Sequence, residues 1–344
     1  MKRACLLLCL PFVALFASCS TEVELYSDYE EVPVVYGLLD ARADTNFVKI
    51  TRAFYVKGDA HQMALNPDSS NYPGKLDARL VEYCNGDSIR EIILDTITIH
   101  NKEQGIFYAP SQKLYYTAEP LSKNGTTGKY SYMLKVAFPD RLLTAKADLV
   151  GNDGFCVQSL AVNFSKEYFG TIPREFLFRP AINANFYEVN MTFTFKEQRT
   201  PEGDSVPRTM RWYIGRFNEY ELSHNMDFNC YKFYYRPETF YAKLGDFIGG
   251  DTAIVGLRRF IGDYPVEVII TAGGDKLGQY IHNNNSSLGF PQGDNAFSLI
   301  DGGYGVFSSR MTVRQAVKLG GETVPDLVAM KSWGFKFIGG REDN

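Results

Sequence analysis

The sequence predicts an all-β protein made of two antiparallel β-domains, and three observations lead to this prediction. Short runs of β-branched and aromatic residues recur along the chain, separated by clusters of Gly, Asn, Asp and Pro, which is typical of a β-sandwich or barrel. Residues 186–195 alternate regularly between polar and apolar side chains, as in an antiparallel strand with one solvated face. The length of 344 residues favours two domains.

The first domain is predicted over residues 32–150. Its strands are expected over residues 32–39, 46–54, 76–83, 89–98, 105–108, 130–138 and 141–149. Residues 57–75 are rich in Asn, Asp, Ser, Pro and Gly, which predicts a long loop. The Gly-Asn-Asp-Gly segment at residues 151–154 is the predicted boundary.

The second domain is predicted over residues 151–344 as a larger β-sandwich or barrel-like domain with one or two short helices. Its strands are expected over residues 155–164, 186–196, 209–217, 266–271 and 303–311. The helices are expected over residues 237–247 and 275–283; the second follows a Gly-Gly pair and opens on Asp275.

The N-terminus predicts an exported, lipid-anchored chain. Lys2 and Arg3 precede an apolar run that is too short to span a bilayer, as expected of a signal peptide over residues 1–18. Residues 15–19 look like a bacterial lipobox, with Phe16 where Leu is usual, and predict lipid attachment at Cys19. The alternative is an ordinary signal peptide with an incidental cysteine. The acidic residues 19–31 are predicted to form a tether.

The net charge limits the classes of partner that the protein can bind, and the number of remaining cysteines limits the disulfides that it can form. The formal net charge is −4, which argues against nucleic acid as a partner. Beyond residue 19 the chain keeps Cys84, Cys156 and Cys230, an odd number that permits at most one internal disulfide. We expect three buried, mostly reduced thiols.

Motifs of catalysis, metal binding and cofactor binding are missing from the sequence. The four histidines form no two-histidine metal motif, and there is no nucleophile elbow, P-loop or dinucleotide fingerprint. The sequence therefore predicts no enzyme, no metal and no cofactor. The weak alternative is a hydrolase that uses paired carboxylates, for which Glu219 and Glu221 are the candidates.

Aromatic residues are concentrated between residues 212 and 241, where eleven occur in thirty positions. They form either a core or an exposed surface that binds sugars, peptides or proteins. The candidate binding surface consists of Trp212, Tyr213, Tyr220, Tyr231, Tyr234 and Tyr235. Its tyrosines after residue 230 are expected to be more exposed than Phe228 and Phe233, because a hydroxyl group tolerates water.

Several short segments stand out besides the lipobox: residues 33–40 (Pro-Val-Val-Tyr-Gly-Leu-Leu-Asp), 47–50 (Phe-Val-Lys-Ile), 130–136, 143–147, 277–280 and 295–309. Together they resemble a family of Bacteroidota outer-membrane lipoproteins of unknown function. The resemblance implies an immunoglobulin-like first domain and a glycine-rich C-terminal strand. Such proteins are often encoded beside TonB-dependent receptors, and the resemblance supplies no catalytic residues.

Two further expectations follow from this resemblance. Glu22 and Glu24, soon after the lipid cysteine, favour the cell surface, although a periplasm-facing location stays open. The phylum's O-glycosylation consensus is matched at residues 87–89, 95–97, 204–206 and 251–253. Ser205 is the best-placed candidate, because residues 198–207 read as a polar hairpin loop.

The sequence leads to three functional hypotheses. The first is a non-enzymatic outer-membrane or surface lipoprotein that binds a partner or ligand, with a TonB-dependent transporter, a surface glycan or a peptide as candidates. The second is an adhesin or a structural component of the envelope. The third, an envelope hydrolase, requires two carboxylates that meet in a cleft.

Overall fold

The computed structural model describes residues 31–53, 60–105, 107–122, 129–151, 154–200, 202–249, 257–285 and 299–336. Its strands are β1 (Val32–Leu39), β2 (Asn46–Ala53), β3 (Asp77–Cys84), β4 (Asp87–Ile93), β5 (Asp95–Ile99), β6 (Gln112–Thr117), β7 (Tyr130–Ala137), β8 (Leu142–Asp148), β9 (Cys156–Val157), β10 (Ala161–Val162), β11 (Arg174–Arg179), β12 (Phe186–Gln198), β13 (Ser205–Asn218), β14 (Ser223–Asn225), β15 (Cys230–Tyr235), β16 (Leu257–Phe260), β17 (Val266–Gly273), β18 (Tyr304–Leu319) and β19 (Phe335–Lys336). Its α-helices are α1 (Ala60–Ala64), α2 (Pro67–Ser70), α3 (Pro237–Ile248), α4 (Asp275–Asn285) and α5 (Thr323–Ala329). Short 3-10 helices cover Lys166–Tyr168, Glu219–Glu221 and Lys331–Trp333.

These elements confirm the predicted all-β fold. The described strands form one 11-stranded sheet and two four-stranded sheets. The large sheet has the order β19-β16-β12-β17-β18-β1-β2-β6-β5, with β13 beside β12 and β10 beside β18. The smaller sheets have the orders β4-β3-β7-β8 and β14-β15-β11-β9. Apart from β1–β18, β10–β18 and β16–β19, the pairings of the described strands are antiparallel.

Two hydrophobic cores lie between these sheets. The first core joins β1 and β2 of the large sheet to β3 and β7, through residues such as Val35, Ile50, Leu80 and Leu134. The second core joins β12, β17 and β18 to β11, β15 and α3. Each core therefore has the sheet-on-sheet arrangement of a β-sandwich. The immunoglobulin-like topology of the first stays a prediction.

Strand β18 takes part in both halves of the molecule. Its first part pairs in parallel with β1, from Tyr304 opposite Val34 to Ser309 opposite Leu39. Its second part, from Arg310 onward, pairs antiparallel with β17. Phe307 lies in the first core, so the sheet begun by β1 and β2 includes a strand from the C-terminal part of the chain. The division at residue 150 stays a prediction.

The longest periodic elements are where the sequence predicts them. The alternation along β12 is confirmed, since Tyr187, Val189 and Met191 are buried and the residues between them are half-buried. The helices predicted over residues 237–247 and 275–283 correspond to α3 and α4. The strand predicted over residues 303–311 is longer and continues to Leu319.

Three local predictions in the first half are wrong. Residues 57–75 are not one loop, because α1 and α2 lie within them. Residues 89–98 are two strands in different sheets; the buried Leu94 lies between them, and its backbone N–H donates to Ala78. Residues 105–108 belong to no strand in the described part, and the strand of this region is β6.

Gly305 permits the close pairing of β18 with β1. Its φ is +111°, and a Cβ atom there would lie 2.0 Å from the carbonyl oxygen of Val35. We expect Gly305→Ala to lower the free energy of unfolding by about 2–3 kcal/mol, measured by urea denaturation, because both the backbone conformation and the overlap are unfavourable. The control is Gly170→Ala, where φ is +67° but no atom lies within 4 Å. If both variants lose the same free energy of unfolding, the overlap with Val35 does not contribute to the loss.

The predicted signal peptide, Cys19 and most of the tether lie outside the described residues. Among the residues that the structure describes, no helix has both the length and the apolar character needed to cross a membrane.

Candidate functional site

A cavity of about 630 Å³ opens on the outer face of β1 and β2, away from the first core. On this face Tyr36 of β1 lies opposite Lys49 of β2, and Val34 lies opposite Thr51. Helices α1 and α2 contribute Ala64 and Ser70, and Asn71 follows α2. Another side is lined by Lys102, Phe107, Tyr108, Ser111 and Gln112. We call this site the cationic cavity, after the three cations Lys49, Arg52 and Lys102 in its lining.

Hydrogen bonds hold the parts of the cavity wall together. Asn66 caps α2, because its side-chain oxygen accepts from the N–H of Asp68 at 3.0 Å. The backbone N–H of Tyr108 donates to the carbonyl of Ala64 at 2.9 Å, which connects Tyr108 to the end of α1. The cavity is therefore built from two strands and a loop that is bonded to a helix.

Two lysines in the cavity lining have only neutral partners in the described part of the chain. Lys49 Nζ donates to Gln112 Oε1 at 3.3 Å, and Lys102 Nζ donates to the carbonyl oxygen of Tyr108. Burial of its ammonium group, and then the positive charge of Lys102, lower the pKa of Lys49. None of the described residues that line the cavity is an acid.

Arg52 differs from the two lysines because its charge is matched. Its Nη1 lies 2.8 Å from Glu31 Oε2, and its Nη2 donates to the carbonyl of Asp68 at 2.7 Å. Its buried Nε has no hydrogen-bond partner among the described residues. Among the described residues, Lys49 and Lys102 are therefore the cations of the lining that have no carboxylate partner.

Aromatic side chains supply flat surfaces beside these charges. Tyr36 and Phe107 are 43% and 51% exposed, and Lys102 Nζ lies 5.8 Å from the Phe107 ring centroid. The pKa of Tyr36 is raised to about 12, mainly by partial burial and secondly by a hydrogen bond with Tyr280. Its hydroxyl group is therefore protonated at neutral pH. A cavity of this size, with aromatic walls and a few polar groups, has the usual composition of a small-molecule site.

The structure divides the candidate aromatic surface into two sets. Tyr213, Tyr220 and Tyr234 are exposed. Trp212, Tyr231 and Tyr235 are buried, so the prediction that they form a binding surface is wrong. They occupy the inward positions of β13 and β15, where alternation turns every second side chain into the second core.

The expectation that the tyrosines after residue 230 are more exposed than Phe228 is also wrong for all three, because Tyr231, Tyr234 and Tyr235 are 7%, 47% and 4% exposed. Phe228 is 68% exposed, in the turn between β14 and β15. The buried hydroxyl groups have partners instead of water, since Tyr231 donates to Glu219 Oε1 and Tyr235 accepts from the N–H of Asn163 at 2.9 Å. A satisfied hydroxyl group can be buried at little cost.

Glu219 and Glu221 have local bonding partners and do not line the cavity. Glu221 accepts from the N–H of Asn218 at 2.7 Å, as part of a capping box, and Glu219 accepts from Tyr231. No group of three or more His, Cys, Asp or Glu residues that could hold a metal occurs in the described part of the chain.

The remaining candidate residues lie apart from the cavity. Ser205 is exposed and begins β13, opposite Gln198, rather than lying in the loop. The three thiols are unpaired, but only Cys230 is buried, so the expected burial of Cys84 and Cys156 is wrong.

Sequence reasoning did not find the cationic cavity. The alternation of Phe47, Lys49 and Thr51 places Lys49 on the outer face of β2. No local pattern indicates that Lys102, fifty-three positions later, lines the same cavity. Comparison with protein-family models and with curated proteins finds no match to the chain.

Proposed function

We propose that this protein is a non-enzymatic lipoprotein of a bacterial outer membrane, anchored through Cys19, and that its folded part binds a ligand at the cationic cavity. The observation that carries this proposal is the cavity itself. It combines a concave shape, aromatic walls and two lysines that have no carboxylate partner among the described residues, which are features of a site that binds a small molecule. A TonB-dependent transporter is the candidate partner that would take up or supply this ligand.

The position of the cavity in the chain suits a role next to a membrane. Val32, which begins β1, is thirteen residues after Cys19 in the sequence. A chain of that length reaches at most about 45 Å. The strand that carries Val34 and Tyr36 of the cavity therefore stays close to an anchored N-terminus.

The anchor is tested by Cys19→Ala. We expect the wild-type protein to incorporate labelled palmitate and to sediment with the outer membrane, because buried methylenes of the acyl chains hold it there. Cys19→Ala should lose the label, and mass spectrometry of the N-terminus should detect no acylated peptide. Cys84→Ala, which changes a half-buried thiol, is the control and should keep both properties. A labelled Cys19→Ala protein, or an unlabelled wild type, would refute the anchor.

Ligand binding is tested on the mature protein purified from its own envelope. Native mass spectrometry should detect a bound small molecule, and Phe107→Ala should lose it because one aromatic wall of the cavity is removed. Tyr213→Ala, which removes an exposed aromatic ring from β13, should retain it. A ligand that is retained by Phe107→Ala and lost by Tyr213→Ala would place binding elsewhere.

A further inference from the structure

We infer that the ligand of the cationic cavity is an organic anion, with a carboxylate, sulfate or phosphate head on an aromatic or apolar body. This inference rests on the proposed ligand-binding function and specifies its chemistry. It is carried by the arrangement of charged and aromatic groups in the lining, which includes Lys49, Lys102, Tyr36 and Phe107.

The first step is the charge balance of the cavity. Lys49 and Lys102 donate to an amide oxygen and to a carbonyl oxygen, and neither has a carboxylate partner among the described residues. Arg52, in contrast, is paired with Glu31. The cavity therefore presents two positive charges that nothing in the described lining neutralises.

The second step is the cost of covering these charges. A ligand that fills the cavity removes water from both ammonium groups, and an ammonium group without a compensating partner is expensive to bury. A neutral or cationic body would leave this cost unpaid. An anionic head forms charge-assisted hydrogen bonds with both lysines, and such bonds are roughly twice as strong as neutral ones.

The third step concerns which donors are available to the head group. Gln112 Nε2 donates one of its two N–H groups to Asn101 Oδ1 at 3.1 Å, and Asn71 Nδ2 donates one of its two to the carbonyl of Pro67 at 2.8 Å. The Ser111 hydroxyl group lies 2.7 Å from His100 Nδ1. The neutral donors that remain carry no formal charge, so Lys49 and Lys102 are the groups of the described lining that select for an anionic head, and the amide N–H groups can add neutral hydrogen bonds.

The fourth step concerns the body of the ligand. Tyr36 and Phe107 are about half exposed, and flat apolar groups can stack on their rings. Val34, Ala53 and Ala64 add small apolar surface to the lining. A volume of about 630 Å³ accommodates a ring system larger than a simple inorganic anion.

The test uses matched naphthalene probes and the mature full-length chain. Isothermal titration calorimetry would compare 2-naphthoate, 2-naphthalenesulfonate and 2-naphthyl phosphate with 2-naphthamide, which keeps the ring and lacks the charge. We expect at least one anion to bind about tenfold or more tightly than 2-naphthamide, and the tightest of the three identifies the head group. Raising the salt concentration should weaken the binding of the anion and leave the binding of 2-naphthamide unchanged.

Variants locate this selectivity in the cavity. Lys49→Gln combined with Lys102→Gln should abolish the tenfold preference for the anion while leaving 2-naphthamide binding unchanged. Lys146→Gln, which removes an exposed lysine of β8 in the opposite sheet, is the matched control and should retain the preference. Phe107→Ala should weaken anion and amide alike, because both share the ring that stacks there.

Two outcomes would overturn the inference. One is equal affinity for the anions and 2-naphthamide, or no binding of any anion. The other is a preference for the anion that survives in the double lysine variant. Either outcome leaves the proposed ligand-binding function intact if native mass spectrometry of the envelope-derived protein still detects a bound molecule that Phe107→Ala loses.

Discussion

Replacing Glu197 with Gln should lower the free energy of unfolding by about 3–5 kcal/mol. Glu197 and Arg258 are both 2% exposed, and Arg258 Nε donates to Glu197 Oε2 at 2.9 Å. Arg208 Nη1 also donates to this carboxylate, at 3.0 Å. The neutral amide of Gln would leave the guanidinium of Arg258 buried without a countercharge, and that is the source of the expected loss.

The measurement is urea denaturation at neutral pH, with Glu188→Gln as the control. Glu188 lies on the same strand, β12, and pairs with Arg216 at 2.8 Å, but both side chains are about one-third exposed. Such a pair contributes about 0–1 kcal/mol, because water already solvates both groups. If the two variants lose the same free energy, the buried pair does not have the role described.

The stabilisation by Glu197 should also depend on pH. Burial alone would raise its pKa, but hydrogen bonds from Arg208, Arg258 and Arg199 outweigh burial, and the pKa in the folded protein is lowered. The contribution is therefore complete above the pKa of a Glu in the unfolded chain, and it is lost as pH falls through the lowered pKa. The difference in stability between wild type and Glu197→Gln should shrink in acid; a difference that grows would contradict this sign.

Trp212→Ala should lower the free energy of unfolding by about 3–5 kcal/mol. The Trp212 side chain is 5% exposed, and its ring centroid lies 6.1 Å from that of Phe164 and 6.4 Å from that of Tyr235. Removing the indole leaves a cavity among aromatic rings that cannot all move to fill it. Urea denaturation of the purified variant measures the loss.

The adjacent residue provides the matched control for Trp212. Tyr213 is 56% exposed on the other face of β13, so Tyr213→Ala should change stability by no more than about 0.5 kcal/mol. If they fold, Trp212→Ala and Tyr213→Ala should both bind the naphthalene anions as the wild type does, because neither residue lines the cationic cavity. Unchanged stability of Trp212→Ala, together with lost ligand binding, would restore the interpretation of Trp212 as a binding residue.

Local patterns were sufficient where one element determines its own structure. The alternation of Tyr187, Val189 and Met191 gives the buried face of β12 directly, because the side-chain period of a strand is two residues. Pro237 at the first turn of α3, and Asp275 in the first turn of α4, are helix start signals that can be read without knowledge of the rest of the chain.

The cationic cavity and the buried ion pair of Glu197 could not be predicted in this way, because the residues of each come from distant segments of the chain. The same alternation that buries Tyr187 also places Glu197 on the buried face, yet its partner Arg258 is 61 positions away. The aromatic cluster shows the same difficulty. Its composition is equally compatible with a core and with a surface, and only the packing of β13 and β15 against the second core separates Trp212 from Tyr213.

By itself, the sequence determined that the chain folds into antiparallel β-sheets, which residues of β12 face inward, and where α3 and α4 begin. Only the tertiary structure decided that β18 pairs with β1 and that Lys49 and Lys102 line one cavity. The physical reason is that side-chain periodicity and capping act over a few residues. Strand pairing and the enclosure of a cavity depend on contacts between segments that the chain brings together only when it folds.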